Sequence, residues 1–327
     1  MALITAILLV AIATTLAAKI AWDNQLNVRR TESTLNIEQA RQFALGAEAV
    51  AIYALTEHLR LVGPYDSPLY WDEYNVLLPL ELSGEVIGQM QGQLFDAHSK
   101  FNVNNLVSAT GNAGVDADVR QQFQALFNLP AFRNADVDPA IIDTMTDWID
   151  NDTVPQSIGA EDDAYTSLTP PYRAANNYLL DSSELRGILG VDAATFALLD
   201  QYLTALPPGW CGSGTGGITP VNINFIGDAA LLAALMDMPL GDAETILAAR
   251  PVAANGKVEG WQSTNEVNWN NTDVAARAET YTTVQSSCAF LRVNVIIGRQ
   301  TLTMYSLLDR SGNNGSIITR VRAFGLD

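Results

Sequence analysis

Histidine and cysteine are almost missing from this 327-residue chain, which holds only His58, His98, Cys211 and Cys288. A three-histidine zinc site is therefore excluded, and a Ser-His-Asp triad has just two imidazoles to draw on. Neither the GxxxxGK[ST] phosphate loop nor the GxGxxG dinucleotide fingerprint occurs. Basic residues are scarce as well: 18 Lys+Arg against 36 Asp+Glu give a net charge of −18 and a pI near 4.3. A nucleic-acid backbone is repelled by such a chain rather than bound. The two cysteines lie 77 positions apart, in no metal-binding spacing. One disulfide in an exported domain is the simplest reading, and two buried free thiols are the alternative. What is present is apolar: 48% hydrophobic residues and a slightly positive mean hydropathy exclude a disordered acidic chain. The length suggests roughly two domains of ~100–200 residues each.

The apolar character is concentrated at the start. No charge precedes Lys19, no proline precedes Pro64, and Gly46 is the only glycine before Gly63. At ~1.5 Å per residue, a helix from Met1 to Trp22 is about 33 Å long and crosses a hydrocarbon core, with Trp22 suited to the interface. A secretory signal peptide is the competing reading, but it needs a basic front and a change of character after a small-residue cleavage site. Here Ala40, Phe43, Ala44, Ala47, Val50, Ala51, Ala54 and Leu55 continue the same helical recurrence. The pattern predicts one helix of roughly 55–60 residues, its first third made for lipid or a filament core and its second third amphipathic.

Beyond a turn-rich stretch from Gly63-Pro64 to Pro79, residues 84–106 read as one or two strands closing on Asn102-x-Asn104-Asn105. Phe290–Ile297 and Thr301–Leu308 flank the short turn Gly298-Arg299-Gln300, and Asn314-Gly315 marks a turn into Ser316–Phe324. Helical patterns fill the middle, at Asp118–Phe127, Pro139–Trp148, Ser183–Leu189, Ala193–Leu203 and Asp228–Met236. Gly209–Gly217, with Cys211, reads as an exposed loop that a disulfide would pin. The expected fold class is α+β. A transmembrane and stem helix (1–60) leads to a small antiparallel sheet whose first part (61–105) and last part (283–327) are split by a mainly helical inserted domain (106–282). Leu231–Pro251 has the outline of a helix-hairpin-helix, but Asp237, Asp242 and Glu244 crowd its hairpin. It reads as a fold element without a nucleic-acid function, because phosphate binding needs Lys/Arg there.

The most chemical segment is Asp147–Leu179. Asp147, Asp150, Asp152, Glu161, Asp162 and Asp163 fall within seventeen residues, interleaved with Trp148, Ile149, Tyr165 and Tyr172. Folding so many carboxylates together is unfavourable without a cation, and Ca²⁺ takes 6–8 oxygen ligands in flexible geometry. Asp150, Asp152 and Glu161 occupy positions 1, 3 and 12 of the EF-hand spacing, but Val154 and Pro155 break that motif. The candidate ligands are Asp150 and Asp152 on one arm and Glu161, Asp162 and Asp163 on the other. Ca²⁺ is preferred to Mg²⁺, which keeps its waters and a strict octahedron. The alternatives are a solvated acidic loop beside a helix N-cap and, more remotely, an acid/base pair for glycoside hydrolysis.

The N-terminal run MALITAILLVAIATTLAAKIAW resembles the stem of type IV pilins and pseudopilins. With Thr5, SKFNVNNL, DWIDNDTVPQSIGAEDDAY, PPYRAANNYL, VNINFIGDAALLAALM and the closing strands, the chain resembles the K-type minor pseudopilins of the bacterial type II secretion system. The resemblance spans nearly the whole chain through the order of these motifs. It departs from the pilin pattern at Met1, where the family usually has Phe, and at Thr5, where most members have Glu. A carboxylate at that depth costs ~2.5–3.5 kcal/mol and is retained for a partner, which in the family is the neighbouring subunit's α-amine. Thr5 fits a subunit with nothing above it, although an ordinary anchor also tolerates threonine.

The resemblance implies a non-enzymatic tip subunit of the pseudopilus that starts assembly and limits growth, because the inserted domain cannot fit within the shaft. It implies structural Ca²⁺ in the inserted domain, and partnership with I-, J- and H-type minor pseudopilins through the stem helix. Prepilin peptidase would process the chain at Met1, the residue methylated in the family, and secreted proteins are further candidate partners. The expected location is a single pass through the inner membrane with the bulk in the periplasm. Lys19, Arg29 and Arg30 after the span oppose that orientation by the positive-inside rule, unless a basic leader precedes it. A membrane-anchored DNA-uptake protein using the helix-hairpin-helix is the competing function, and a calcium-dependent exported hydrolase is the third.

Overall fold

The computed structural model describes residues 2–63, 65–71, 75–107, 117–212, 217–312 and 316–326. Met1, the Asn314-Gly315 turn and residues 213–216 of the glycine-rich loop lie outside the described residues. Helix α1 (Ala2–Leu61) runs unbroken for 60 residues, about 90 Å at ~1.5 Å per residue. Among the described residues, its N-terminal half is exposed throughout. Its C-terminal half buries one face through Ala40, Ala44, Glu48, Ala51, Leu55 and His58, whose spacings of three and four define a single helical stripe. The three alanines bring the helix axis close to the sheet behind it.

After α2 (Pro68–Trp71), strands β1 (Val76–Leu82) and β2 (Glu85–Asp96) form a hairpin closed by Ser83-Gly84, both at positive φ as a two-residue turn of the primed type requires. The sequence suggests a turn-rich segment up to Pro79, yet Pro79 lies within β1. It is tolerated because β1 is the sheet's outermost strand, where a missing N–H need not break a ladder. Next come β3 (Phe101–Asn102), a 3₁₀ turn (Val103–Leu106), α3 (Ala117–Phe127), α4 (Pro130–Asn134), α5 (Ile141–Ile149) and α6 (Asp162–Thr166). A second 3₁₀ turn (Ser182–Gly187) stands where a full helix was expected over Ser183–Leu189. Its Asp181/Glu184 capping box closes the segment tightly, and Gly190 at positive φ ends it. The chain continues through α7 (Ala193–Tyr202), β4 (Leu203–Thr204), β5 (Val221–Asn222), α8 (Ala229–Met236), α9 (Leu240–Ala248), α10 (Thr272–Tyr281) and β6 (Thr282–Thr283). It ends in β7 (Cys288–Ile297), β8 (Gln300–Asp309) and β9 (Ile318–Leu326).

The main sheet is antiparallel throughout in the order β1-β2-β7-β8-β9, so strands from the two ends of the chain are neighbours, as the split-sheet reading requires. Leu291, Val293 and Val295 alternate onto the face that α1 covers, with Leu302 and Met304 of β8 beside them. A second, larger core lies between β3 and β6, built from Phe101, Phe123, Phe132, Met145, Leu199, Leu232 and Ile246 among others.

Two halves of this helical unit begin alike. In the first, the Asn102 side chain bonds both backbone groups of Leu206, and Asn104 clasps Leu179 in the same way. In the second, Asn224 clasps Trp261, and Asn222 caps Asn224 as Asn102 caps Asn104. Each Asn-x-Asn segment pairs in parallel with a two-residue strand that follows a helix, β4 after α7 and β6 after α10.

Two polar anchors and a disulfide hold the parts together. Glu48 of α1 accepts from Ser306 (2.6 Å), Thr319 (3.0 Å) and Arg322 Nε (2.9 Å). Burial alone would raise its carboxyl, but these donors outweigh it and hold the group below its ordinary value. The Cys211–Cys288 disulfide forms as the exported-domain reading expects, tying the loop after β4 to the first residue of β7.

Asp66, fully buried, accepts from Trp71 Nε1 (3.0 Å), Ser286 N (2.8 Å) and Arg310 Nη1 (2.9 Å), with His58 Nε2 at 3.2 Å. Burial opposes ionisation here too, but His58, Arg310 and Ser286 prevail and hold the carboxyl below its ordinary value. Its contribution is therefore complete at neutral pH and lost only as pH falls beneath about 4. Asp66→Ala strands the Arg310 guanidinium in the interior and is expected to cost about 3–5 kcal/mol in denaturant unfolding at pH 7. A loss under 1 kcal/mol would show that the junction does not depend on this charge.

Candidate metal centre

Helix α5 is buried along its whole length and ends at Asp150, whose extended backbone turns the chain outward while its N–H still bonds Thr146 O. The following loop is drawn back over the helix. Asp152 Oδ1 accepts from Val154 N (2.8 Å), Asp147 from Gln156 N (3.0 Å) and Asp143 from Ile158 N (3.2 Å). Gly159 passes so close to Asp147 that a Cβ there would lie 1.8 Å from Oδ2, so any other residue would push the buried Asp147 carboxylate from its place. Glu161 then opens α6 without using its side chain as a cap. Trp148 and Tyr165, edge to face with centroids 5.0 Å apart, wall the loop, and Tyr172 packs against Tyr165.

This path brings Asp150, Asp152 and Glu161 together, with one oxygen from each within 4.8 Å of the others. They are positions 1, 3 and 12 of a twelve-residue spacing, converging without the EF-hand's internal residues. Asp150 is completely buried and Glu161 is 8% exposed, and all four of their carboxylate oxygens lack a hydrogen-bond partner. Burial, then the neighbouring carboxylates, pushes Asp150 up to about 6 and Glu161 up to about 7. Buried carboxylates without donors are unfavourable by several kcal/mol unless protons or a cation satisfy them. The donors are all oxygen, which suits a hard divalent ion and not the soft or imidazole-loving metals. Carboxylates this close and this buried form a group that could hold a small ion.

The other two candidates lie outside this group. Asp162 Oδ1 accepts from Ala174 N (3.0 Å) and its Oδ2 lies 3.7 Å from Arg173, so it braces the following segment instead. Asp163 points to solvent from the first turn of α6. A residue the sequence reading missed is Asn176. Its Nδ2 donates to Asp152 O (3.0 Å), while its buried Oδ1 has no partner, leaving a neutral oxygen donor beside the cluster. The only signal for it was its place in the PPYRAANNYL run, where nothing distinguishes it from Asn177.

Elsewhere, Thr5 is exposed on α1. The helix-hairpin-helix outline is real, as α8 and α9 around Asp237 at positive φ. Its Arg250, however, donates through Nη1 to the carbonyls of Asn224 (3.1 Å) and Ile226 (2.7 Å), inside the fold.

Comparison with known proteins decides the family. Models of the type II secretion system protein K match residues 99–208 and 221–286. Type II secretion system protein K of Pectobacterium carotovorum subsp. carotovorum is 31% identical, over 98% of this chain and 94% of the relative. That of Pseudomonas aeruginosa is 30% identical, over 99% and 92%. The chain belongs to the type II secretion system protein K family. A chain of the GspK–GspI–GspJ crystal structure from enterotoxigenic Escherichia coli superposes with a TM-score of 0.71 at 26% identity, over 90% of this chain and 99% of that one. Family and fold together give this chain a minor pseudopilin role. Its carboxylate cluster lies within the first matched segment and its helix-hairpin-helix within the second. The apolar half of α1 is long and apolar enough to span a bilayer, which fits membrane anchoring.

Because folded Asp150 and Glu161 hold protons more tightly than the ~3.9–4.3 of unfolded carboxyls, the cation-free protein loses stability as pH rises from about 4 to 7. In EGTA, Asp150→Asn is expected to be more stable than the parent at pH 8, by about 1–2 kcal/mol, with the advantage vanishing below pH 4. Melting curves across pH check this, and a variant less stable at pH 8 would mean that the carboxylate has a partner in the folded chain.

Proposed function

We propose that this chain is the tip subunit of the type II pseudopilus, initiating its assembly and limiting its length, with Ca²⁺ as a structural ion of its inserted domain. The observation that carries the tip reading is where the helical domain sits. It is joined to the chain just past the C-terminal end of α1, where Asn224 Nδ2 donates to Asp66 O (3.0 Å) and Leu69 N to Val258 O (3.1 Å), and on this reading a subunit stacked above would have to displace it. Thr5 agrees, because a tip subunit has no α-amine above it that a carboxylate would pair with. On this reading α1 anchors the protein in the inner membrane by a single pass, prepilin peptidase processes it, and the disulfide-bonded remainder lies in the oxidising periplasm. Its partners are the I- and J-type minor pseudopilins and then the H type. The assignment gives the chain no catalytic step. The DNA-uptake alternative loses support, since the hairpin's arginine is turned inward and the chain carries a net charge of −18.

Asp150, Asp152 and Glu161 would hold the calcium ion, with Asn176 Oδ1 adjacent. A ligand that binds only the folded state adds ~2.7 kcal/mol at 100 times its Kd. Calcium is thus expected to raise the melting point of the full chain, EGTA to reverse this, and Asp152→Ala with Glu161→Ala to abolish it. No response to calcium would remove the ion from the proposal.

The tip role is read from filaments. Cells lacking this chain should form fewer and longer pseudopili, and cells overproducing it shorter ones, as measured by electron microscopy. Filament number and length indifferent to its dose would sink the role.

A further inference from the structure

The two halves of the helical unit can be compared position by position, because the equivalence of their Asn-x-Asn clasps continues downstream. Leu179, held by Asn104, corresponds to Trp261, held by Asn224. Two residues on, the Asp181 side chain caps Ser183 N and the Ser263 side chain caps Asn265 N. Glu184 then accepts from Leu180 N (2.8 Å) and Glu266 from Gln262 N (3.0 Å). Each half thus opens a 3₁₀ turn, Ser182–Gly187 and Thr264–Glu266, with the same reciprocal caps. Leu185 and Val267, one residue later, are both buried. The next helices match as well. α7 and α10 are each ten residues long, start after a side-chain cap from Asp192 or Asn271, and run directly into β4 and β6.

This equivalence pairs Arg186 with Asn268, Phe196 with Ala275 and Leu199 with Ala278. In the first half the Arg186 guanidinium lies over the Phe196 ring, 4.1 Å from its centroid, and Leu199 is fully buried. In the second half all three side chains are smaller. Asn268, Ala275 and Ala278 there line a pocket of about 400 Å³ between the 3₁₀ turn and α10. The same local fold fills this place with its own side chains once and leaves it open once, forgoing the packing that Phe196 provides.

Of the residues that line the pocket only Glu279 is charged, and none is basic. Asn265 and Asn270 are exposed at it, and the Trp269 ring is pinned by its Nε1 donating to Thr264 O (3.2 Å). Amide oxygens, one carboxylate and an indole suit a planar cation that donates several hydrogen bonds and packs on aromatic surface. That describes a guanidinium, the group that occupies the equivalent place in the first half. We infer that this pocket receives an arginine side chain from a partner protein, which does from outside what Arg186 does within the chain. The net charge of −18 favours the approach of such a basic segment. A lysine ammonium lacks the flat, forked donor set, and a neutral saccharide gains nothing from the negative field.

The test titrates the full-length chain in detergent with a fluorescein-labelled Gly-Ser-Arg-Ser-Gly peptide, read by fluorescence anisotropy. Saturable binding is expected, weaker by about tenfold when citrulline, uncharged and similar in shape, replaces the arginine, and weakened similarly by Glu279→Gln. Ala275→Phe gives the second half the residue of the first, and should abolish binding while keeping the parent melting point. Tyr305→Ala, on the sheet, should leave binding unchanged. Equal affinity for the citrulline peptide would overturn the guanidinium, and binding of an N-acetylglucosamine tetramer instead of the peptide would make the occupant a saccharide. Full binding by both Ala275→Phe and Glu279→Gln would overturn the site, as would a parent chain that binds no peptide at millimolar concentration.

Discussion

Asp66 meets the stem through His58, the crossing segment through Ser286, and the start of the last connection through Arg310, all inside a dry interior. A charge so placed is stable only while every one of those neighbours is present, because the cost of burying it is offset by donors from distant parts of the chain. The stem helix, the segment entering β7 and the segment leaving β8 therefore do not settle independently. Their junction is complete or it contains an unpaired ion. Glu48 repeats the principle lower on the stem, fastening α1 to β8 and β9, and the Cys211–Cys288 disulfide closes a long loop at the same end of the sheet.

The carboxylates between α5 and α6 obey the opposite logic. Asp66 and Glu48 are surrounded by donors and sit below their ordinary pKa, whereas Asp150 and Glu161 face one another without donors and are pushed up. The same side chain in two buried settings thus separates what the polypeptide satisfies with its own donors from what it leaves unsatisfied. Shape enforces the second setting. Gly159, Asp147 and the Trp148–Tyr165 wall shape the loop whether or not the carboxylates repel, so the strain is held by packing.

Much of this was legible in the residues because it is written in long periodicities. An uncharged run followed by a helical stripe gave α1, and alternation on either side of Gly298 gave β7 and β8. The carboxylate cluster stood out because so many acids interleaved with aromatics have no other economical arrangement. Tertiary facts stayed hidden. Whether Asp162 joins Asp150 or instead bonds Ala174 depends on where a later loop passes, and local spacing does not encode that. Asn176 looks like any asparagine until its oxygen is seen buried and alone. The β1 strand was obscured by Pro79, which is harmless only at an edge whose existence depends on pairing with β2. The doubled Asn-x-Asn clasp was visible as letters at 102–104 and 222–224, but two short matches mean little before both are seen holding equivalent backbone.

Strand β2 ends beside the beginning of β7, with Asp96 opposite Ala289 in the same antiparallel ladder. Topologically, then, everything from residue 97 to residue 287 is the loop of a single β-hairpin. A connection there usually takes a handful of residues; here it has grown into a folded body with its own core. The chain leaves the sheet and returns to it at adjacent points, so the sheet's register is indifferent to what the loop contains. A plain filament subunit and a bulky one can therefore share one scaffold, differing in how much protein hangs from one bend.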